Sequence, residues 1–226
     1  MNSVTTLVIG GFVLNAKPLE FITSQLKNYH YIDVNQLSPE FTLQSQAQDI
    51  ISQYVCDTQK IQIIAYSCGG LLALTLLQLA PDNIYKLVMI NSTPCFMAQE
   101  NWQGISNTNL QRLRQRLNKQ TLAEFANYFT TLAAFPESID KKDALQWQNL
   151  AANRDTLMIW LELIEQTDLR PIANKFAARI AWINSATDSL IPNPTQNINC
   201  KIVINSTHLQ MNPNCLRYIF EAISHE

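Results

Sequence analysis

Two glycine pairs constrain the fold of this chain more than any other feature of its sequence. Gly10-Gly11 and Gly69-Gly70 hold four of the five glycines, and each pair directly follows an apolar, β-branched run typical of a buried strand. Ligands bind at the carboxyl ends of strands in open parallel sheets, where glycine permits sharp turns and close backbone approach. The pairs therefore predict two loops at one such edge, with a functional site between them.

Strand and helix signals alternate over the first half of the chain and resume near its end. Apolar strands separated by helices are typical of a parallel sheet covered on both faces, so the sequence predicts an α/β fold. The predicted strands are 4–9, 29–34, 61–65, 85–90, 178–184 and 201–204, and the helices between and after them are 18–27, 42–55, 69–79 and 213–223.

Strand signals are missing from the middle of the chain. Helical periodicity occurs there instead, at 107–118, 122–134, 142–152 and 155–166. The sequence therefore predicts a core built from residues 1–93 and 171–226, with a helical cap, residues 94–170, inserted into it.

Composition narrows the possible functions. The 226 residues are 47% hydrophobic and 15% charged, as in a packed globular protein, and a net charge of −2 gives no general attraction to nucleic acid or acidic membranes. No apolar run approaches the roughly 20 residues of a membrane span, and the first residues lack the positive charge of a signal peptide. Five cysteines without framework spacing and three scattered histidines indicate reduced thiols in the cytoplasm, with no metal and no other cofactor.

The segment Ala65-Tyr66-Ser67-Cys68-Gly69 matches the G-x-S-x-G pattern of a nucleophile elbow except at its first position. Such an elbow exposes a serine hydroxyl between a strand and a helix, which makes Ser67 the predicted nucleophile. The predicted oxyanion donors are the backbone N–H of Cys68, at the helix N-terminus, and that of Phe12, after the first strand. The alternative interpretation is that Ser67 is only a small residue in a turn.

A serine nucleophile needs a general base, and in this kind of site the chain order is serine, acid, histidine. His30 precedes Ser67 and is excluded by that order. His225 is the next-to-last residue, where chain ends tend to fray. His208 lies in a polar loop between the last predicted strand and the last helix, so it is the predicted base.

Two aspartates compete for the role of the orienting carboxylate. Asp188 follows the predicted strand 178–184, which puts it on a loop at the carboxyl end of the sheet, whereas Asp168 precedes that strand. The sequence therefore favours a triad of Ser67, Asp188 and His208 that carries out acyl transfer.

Further motifs spread over most of the chain carry a family resemblance. They are Leu14-Asn15-Ala16, Ser67-x-Gly69-Gly70-Leu71, Ser92-x-Pro94-Cys95-Phe96, Trp102-x-Gly104-Ile105, Asp168-Leu169-Arg170, Asp188-x-Leu190-x-Pro192 and His208. With them the chain resembles the pimeloyl-acyl-carrier-protein methyl ester esterases of biotin synthesis, a family of α/β hydrolases. The resemblance implies hydrolysis of a methyl ester on pimeloyl-acyl-carrier protein, with release of methanol. That family usually has His-Gly in place of Gly10-Gly11, and glycine in place of Ala65.

The implied partner, an acyl-carrier protein, is acidic, so a basic docking face is expected. On the helix predicted at 107–118, leucines occupy one face and basic residues the opposite one. The predicted docking residues are Arg112, Arg116 and Lys119, with a second cluster at Lys141 and Lys142; a solvated helix face is the alternative. The predicted substrate-binding residues are Phe12, Phe96, Trp102 and Tyr128.

Two other functions stay open. One is a general short-acyl carboxylesterase or thioesterase. The other is a hydrolase-like scaffold that binds a partner with little or no turnover, because the glycines around the oxyanion loop and the elbow are altered. In each case we expect a cytoplasmic, monomeric protein.

Overall fold

A computed structural model describes residues 4–37, 41–56, 60–149, 152–191, 200–209 and 212–224 of the chain. Pro192 and His225, which the sequence analysis singled out, lie outside these ranges. Among the described residues, no helix has the length and apolar character needed to cross a bilayer.

The core of the molecule is a parallel sheet, which in the described residues has six strands in the order β2-β1-β3-β4-β5-β6. The chain builds outward from β1 in one direction and then in the other, so the order reverses between β1 and β3. The two glycine pairs follow these two strands, at the switch point where open α/β sheets bind ligands. The strands are β1 (Thr5–Ile9), β2 (Tyr29–Ile32), β3 (Ile61–Tyr66), β4 (Ile84–Ile90), β5 (Ile180–Ser185) and β6 (Cys200–Val203).

Helices flank this sheet. The helix that follows β3 is apolar on all sides, and nine of its eleven residues are buried, because it packs on β1, β3, β4 and a second helix at once. The helices that belong to this core are α1 (Glu20–Thr23), α2 (Leu43–Tyr54), α3 (Gly69–Leu79), α8 (Arg170–Lys175) and α9 (Pro213–Ser224). Short 3₁₀ turns occur at Lys17–Leu19, Val34–Gln36 and Ala177–Arg179.

Four more helices lie between β4 and β5 in the chain. α4 packs against α5 and α7, and α5 packs against α6. On α4 the leucines Leu110, Leu113 and Leu117 are buried while the basic residues on the other face are exposed, as the periodicity predicts. These helices are α4 (Asn107–Lys119), α5 (Leu122–Ala134), α6 (Lys141–Trp147) and α7 (Arg154–Gln166).

The predicted α/β-hydrolase type of fold is confirmed, with local differences. The helix predicted at 18–27 is a 3₁₀ turn followed by the short helix α1, which ends at Thr23, and the strand predicted at 29–34 ends at Ile32. The helix predicted at 142–152 ends at Trp147, because the next residues pair with the loop after β1: the Asn149 N–H donates to the Val13 carbonyl. The short helix α8 was not predicted. The helices α4 to α7 lie within the segment expected to form the cap, and its definition as residues 94–170 stays a prediction.

Candidate active site

Ser67 stands on a sharp turn between β3 and α3, with φ of 55°. This left-handed conformation is strained for a residue with a side chain. Its carbonyl accepts hydrogen bonds from the Gly70 N–H (3.1 Å) and the Ser92 hydroxyl (2.7 Å), which hold the turn. Glycine is required on the helix side because a Cβ at Gly69 would lie 2.3 Å from the Gly10 carbonyl oxygen. Ala65, by contrast, is an ordinary buried strand residue.

The structure brings together the three residues predicted as a triad. His208 Nε2 lies 3.0 Å from Ser67 Oγ, and His208 Nδ1 lies 2.7 Å from Asp188 Oδ2. Ser67 is 6% exposed, and the side chains of the other two are fully enclosed. This arrangement lets the imidazole take a proton from the serine hydroxyl while the carboxylate fixes its tautomer.

Asp188, rather than its competitor Asp168, contacts the imidazole. The second carboxylate oxygen of Asp188 accepts the backbone N–H groups of Leu190 and Ile191, both at 2.8 Å, so the carboxylate orientation is fixed from both sides. Asp168 instead forms an ion pair with Arg170 at 2.6 Å. Hydrogen bonding from Arg170 holds the pKa of the Asp168 carboxyl below its usual value.

The two predicted oxyanion donors, the backbone N–H groups of Phe12 and Cys68, belong to residues that line the same cavity as Ser67. Burial raises the pKa of the Cys68 thiol from 9.0 to about 12, and the backbone N–H groups of Phe12 and Cys68 act in the opposite direction. The thiol is therefore neutral at ordinary pH. The role of these two N–H groups as oxyanion donors stays a prediction.

Asn35 holds the loop that carries Phe12, and sequence reasoning did not find it. Its side-chain amide donates to the carbonyls of Gly11 (3.0 Å) and Leu14 (2.9 Å) and accepts the Val13 N–H at 2.7 Å. The side chain is fully buried. In the sequence Asn35 is one polar residue after a strand, and nothing local marks its three partners more than 20 residues away.

An apolar cavity opens above Ser67. Its volume is about 30 Å³, and it is lined almost entirely by hydrophobic side chains of the core and of α4, α5 and α7. Phe12 and Phe96, two of the predicted substrate-binding residues, contribute to this lining together with Leu110, Phe129, Leu161, Ile164 and Ile191. The cavity also contacts Ile105, Leu113 and Leu190, and these three residues line a second cavity as well.

The second cavity, which we call the outer pocket, has a volume of about 210 Å³ and is more polar. Tyr128 lies here and not beside Ser67, and so does Arg112. Trp102 lines neither cavity: it is placed beside Asp168 and Arg170, and its indole N–H donates to the Cys95 carbonyl at 2.8 Å. The prediction that Trp102 lines the substrate site is therefore not supported by its position, since the indole closes the turn before α4.

A third depression on the surface gathers the basic residues of α4. This basic groove, about 540 Å³, is lined by Arg112, Arg116 and Lys119 together with Gln115, Gln120 and Tyr128. The Arg116 guanidinium lies 3.9 Å above the Tyr128 ring, a cation–π contact that fixes its direction. Lys141 and Lys142 are the first residues of α6, and Lys142 does not line the groove.

The sequence matches the family described as "alpha/beta hydrolase fold" over residues 40–221. This match spans most of the chain, which therefore belongs to the α/β hydrolase family.

Within that family the chain is similar to curated pimeloyl-[acyl-carrier protein] methyl ester esterases, as its motifs suggested. The protein of that name from Pectobacterium carotovorum is 24% identical over 214 residues, which cover 89% of this chain and 82% of the relative. The one from Proteus mirabilis is 27% identical over 199 residues, which cover 82% and 75%. The low identity fits a divergent member.

Solved structures show the same fold. A hydrolase from Oleispira antarctica superposes with a TM-score of 0.77 at 18% identity, covering 100% of this chain and 93% of the other. An esterase from Exiguobacterium antarcticum gives 0.76 at 15% identity, covering 99% and 91%. The family and the curated relatives together confirm the prediction of an enzyme of the carboxylic ester hydrolase class.

Proposed function

We propose that this enzyme is a serine esterase that hydrolyses the methyl ester of pimeloyl-acyl-carrier protein, releasing methanol and the free carboxylate. The observation that carries the proposal is the hydrogen-bonded line of Ser67, His208 and Asp188, whose serine lines an apolar cavity. The substrate is inferred from relatives of that name, which match more than four fifths of the chain.

The first half of the reaction forms an acyl-enzyme. Ser67 Oγ attacks the ester carbonyl carbon while His208 Nε2 takes the hydroxyl proton, and Asp188 stabilises the imidazolium that results. Collapse of the tetrahedral intermediate breaks the bond to the methoxy oxygen, which leaves as methanol with the proton from His208. In the second half His208 takes a proton from water, which attacks the acyl carbon. The bond from that carbon to Ser67 Oγ then breaks, His208 returns the proton to Oγ, and the free carboxylate leaves.

The N–H groups of Phe12 and Cys68 stabilise the oxyanion of both intermediates, because both residues line the cavity beside Ser67. Donors held in place by the fold cost little reorganisation, and each is typically worth about 10²–10³ in rate. Asn35 contributes indirectly, because it fixes the backbone on either side of Phe12.

The cavities adjoin one another and mark the direction in which a carrier-bound chain would run. The apolar cavity shares Ile105, Leu113 and Leu190 with the outer pocket, and the outer pocket shares Arg112 and Tyr128 with the basic groove. A methyl ester at Ser67 would thus have its acyl chain between α4 and α5 and its carrier outside. The basic groove then faces the acidic carrier protein, with Arg112, Arg116 and Lys119 as the proposed docking residues.

Specific observations also bear on the two alternative functions. The apolar cavity beside Ser67, about 30 Å³, is much smaller than the outer pocket, about 210 Å³. This small volume favours a general esterase or thioesterase for short acyl groups as the second candidate. A binding scaffold without turnover is disfavoured, because His208 lies within hydrogen-bonding distance of both Ser67 and Asp188.

Rescue of a bacterial biotin auxotroph that lacks its methyl esterase tests the substrate. We expect the wild-type gene to restore growth without biotin and the Ser67→Ala gene to fail at equal protein level. In vitro, the wild type should release methanol from the carrier-bound ester. If the wild type cleaves p-nitrophenyl butyrate but neither rescues growth nor releases methanol, the biotin assignment is wrong and the short-acyl candidate replaces it.

A further inference from the structure

We infer that Asn91 and Tyr66 are positioning residues that hold His208 within reach of Ser67 by binding its backbone carbonyl. The inference rests on the proposed roles of Ser67 as nucleophile and His208 as base. Tyr66 acts through its bond to His208, and Asn91 acts both through His208 and through the strand that leads to Asp188.

Two side-chain donors meet on one backbone oxygen. The Tyr66 hydroxyl donates to the His208 carbonyl at 2.6 Å, and the Asn91 amide donates to it at 2.9 Å and to the Thr207 carbonyl at 3.3 Å. Tyr66 is 1% exposed and Asn91 is fully buried, so water does not compete for these bonds. Burial also raises the pKa of the Tyr66 phenol well above its usual value, which keeps the hydroxyl proton available for donation.

His208 needs an anchor of this kind because of where it lies in the fold. It stands on a loop after β6, the edge strand of the described sheet, whereas Ser67 stands at the end of the central strand β3. The imidazole must satisfy a distance of 3.0 Å to the serine and 2.7 Å to the aspartate at once. Tyr66 directly precedes Ser67, so one strand end positions both the nucleophile and the backbone of the base.

Asn91 extends the same anchor to the strand that leads to the acid. Its side-chain oxygen accepts the Ser185 N–H at 2.8 Å, at the end of β5 and three residues before Asp188. Its own backbone has φ of 45°, a left-handed conformation that asparagine tolerates better than most residues. Such strain persists where surrounding contacts enforce it, and here those contacts reach both the acid-bearing and the base-bearing loops.

Two conservative variants remove the donors one at a time. Asn91→Gly keeps a residue that accepts positive φ, and Tyr66→Phe keeps the buried ring. A displacement of about 1 Å in such a site typically costs about 10²-fold, so we expect kcat on p-nitrophenyl butyrate to fall about 10- to 100-fold in each, with KM within about twofold of wild type. In the double variant the loss should exceed the product of the single losses, because each donor partly replaces the other.

Gln62→Ala is the matched control. Gln62 is a buried amide on the same strand as Tyr66 but at its other end, where it bonds to Thr6 and Tyr85. The Gln62→Ala variant should lower the melting temperature about as much as Asn91→Gly does, and it should leave kcat unchanged. If Tyr66→Phe and Asn91→Gly lower only the melting temperature, as the control does, the residues are structural and the inference is wrong.

The labelling rate of Ser67 by a fluorophosphonate separates this inference from the proposed function, because it requires His208 but no carrier and no particular ester. Slower labelling of both variants supports the inference even if biotin rescue fails. Labelling of wild type and variants at equal rates contradicts the inference alone. A wild-type protein that is not labelled contradicts the serine-esterase proposal itself.

Discussion

A Cβ atom added to Gly10 would lie 2.2 Å from the hydroxyl oxygen of Tyr31, so the tyrosine occupies the space that a side chain at position 10 would need. Tyr31 therefore explains why a residue without a side chain stands at position 10. Among the described residues the Tyr31 hydroxyl has no hydrogen-bond partner, although it is buried. The space next to the loop that follows β1 is therefore filled by a side chain of β2 and not by a side chain of the loop itself.

Gly10→Ala should consequently destabilise the protein and disturb the Phe12 N–H. Forcing a methyl group into a packed site typically costs about 1–3 kcal/mol, and we expect that loss in urea unfolding together with a lower kcat. Tyr31→Phe alone should be neutral or slightly stabilising, because it removes an unpaired buried hydroxyl. Combined with Gly10→Ala it should recover part of the lost stability. If the double variant is as unstable as Gly10→Ala alone, the Tyr31 hydroxyl is not the obstacle.

Asp188→Asn tests the orientation of the base. The asparagine oxygen can still accept the Leu190 and Ile191 N–H groups, so the loop should keep its shape. Its amide would face His208 Nδ1 and favour the wrong tautomer, which in related sites costs about 10⁴ in kcat. We expect a drop of about 10³–10⁴ at an unchanged melting temperature. Asp168→Asn is the control and should stay within about threefold of wild type; the reverse pattern would make Asp168 the acid.

Leu113 separates the apolar cavity from the outer pocket and should limit acyl length. Leu113→Ala is expected to raise the kcat/KM ratio of p-nitrophenyl octanoate to butyrate, because the two cavities would merge. Leu117→Ala, one turn further along the same buried face of α4, lines neither cavity and serves as the control. Both variants should lose about 2–5 kcal/mol of stability, so the measurement is the ratio of kcat/KM for the two esters and not the absolute rate. If this ratio rises equally in both variants, Leu113 does not limit the acyl length.

Charge reversal in the basic groove should affect only the carrier-bound substrate. Exposed ion pairs are each worth about 0.2–1 kcal/mol, so Arg112→Glu, Arg116→Glu and Lys119→Glu together should raise KM for pimeloyl-acyl-carrier protein methyl ester about tenfold. KM for p-nitrophenyl butyrate should not change, and added salt should reduce the difference. Lys175→Glu on α8 controls for net charge. Equal effects on both substrates would place docking elsewhere.

Buried thiols predict a loss of stability in alkali. Burial raises the pKa of Cys68, Cys200 and Cys215 from 9.0 to about 12 each. Between these two values the unfolded chain has released protons that the folded protein still holds, so the free energy of unfolding falls as pH rises above about 9. We expect the melting temperature to decline from pH 9 to pH 10.5, and less steeply in Cys215→Ala. Exposed Cys56→Ala should keep the wild-type slope; identical slopes in all three proteins would contradict the assignment.

Elements with local signals could be predicted almost to the residue. The helix predicted at 122–134 is α5, whose first turn carries reciprocal hydrogen bonds between Thr121 and Glu124, a pattern visible in the sequence. The end of α6 could not be predicted, because residues 148–149 leave the helix to bond with the loop at 13–15, more than 130 residues away. Contacts between residues so far apart in the chain leave no periodic pattern in the sequence.

The candidate site divides in the same way. Ser67, Asp188 and His208 could be selected from chain order, because the carboxyl ends of parallel strands meet at one edge and bring the loops together. Asn35 and Asn91 could not, because asparagine after a strand is also a common turn residue. Their importance comes from backbone partners that only the folded chain brings near. Trp102 shows the converse: an aromatic residue in a family motif can serve a turn and not a substrate.

In the described residues, four non-glycine residues have positive φ: Val13, Ser67, Asn91 and Asn205. Each follows the carboxyl end of a strand, at β1, β3, β4 and β6. A left-handed backbone conformation costs roughly 1–2 kcal/mol per residue, so substitutions that relieve it at these positions would raise the stability of the protein. Directed evolution for heat tolerance alone would therefore select substitutions in the turns that carry the serine, the proposed oxyanion donor and the histidine. A screen for a more durable catalyst from this chain must score turnover in every round.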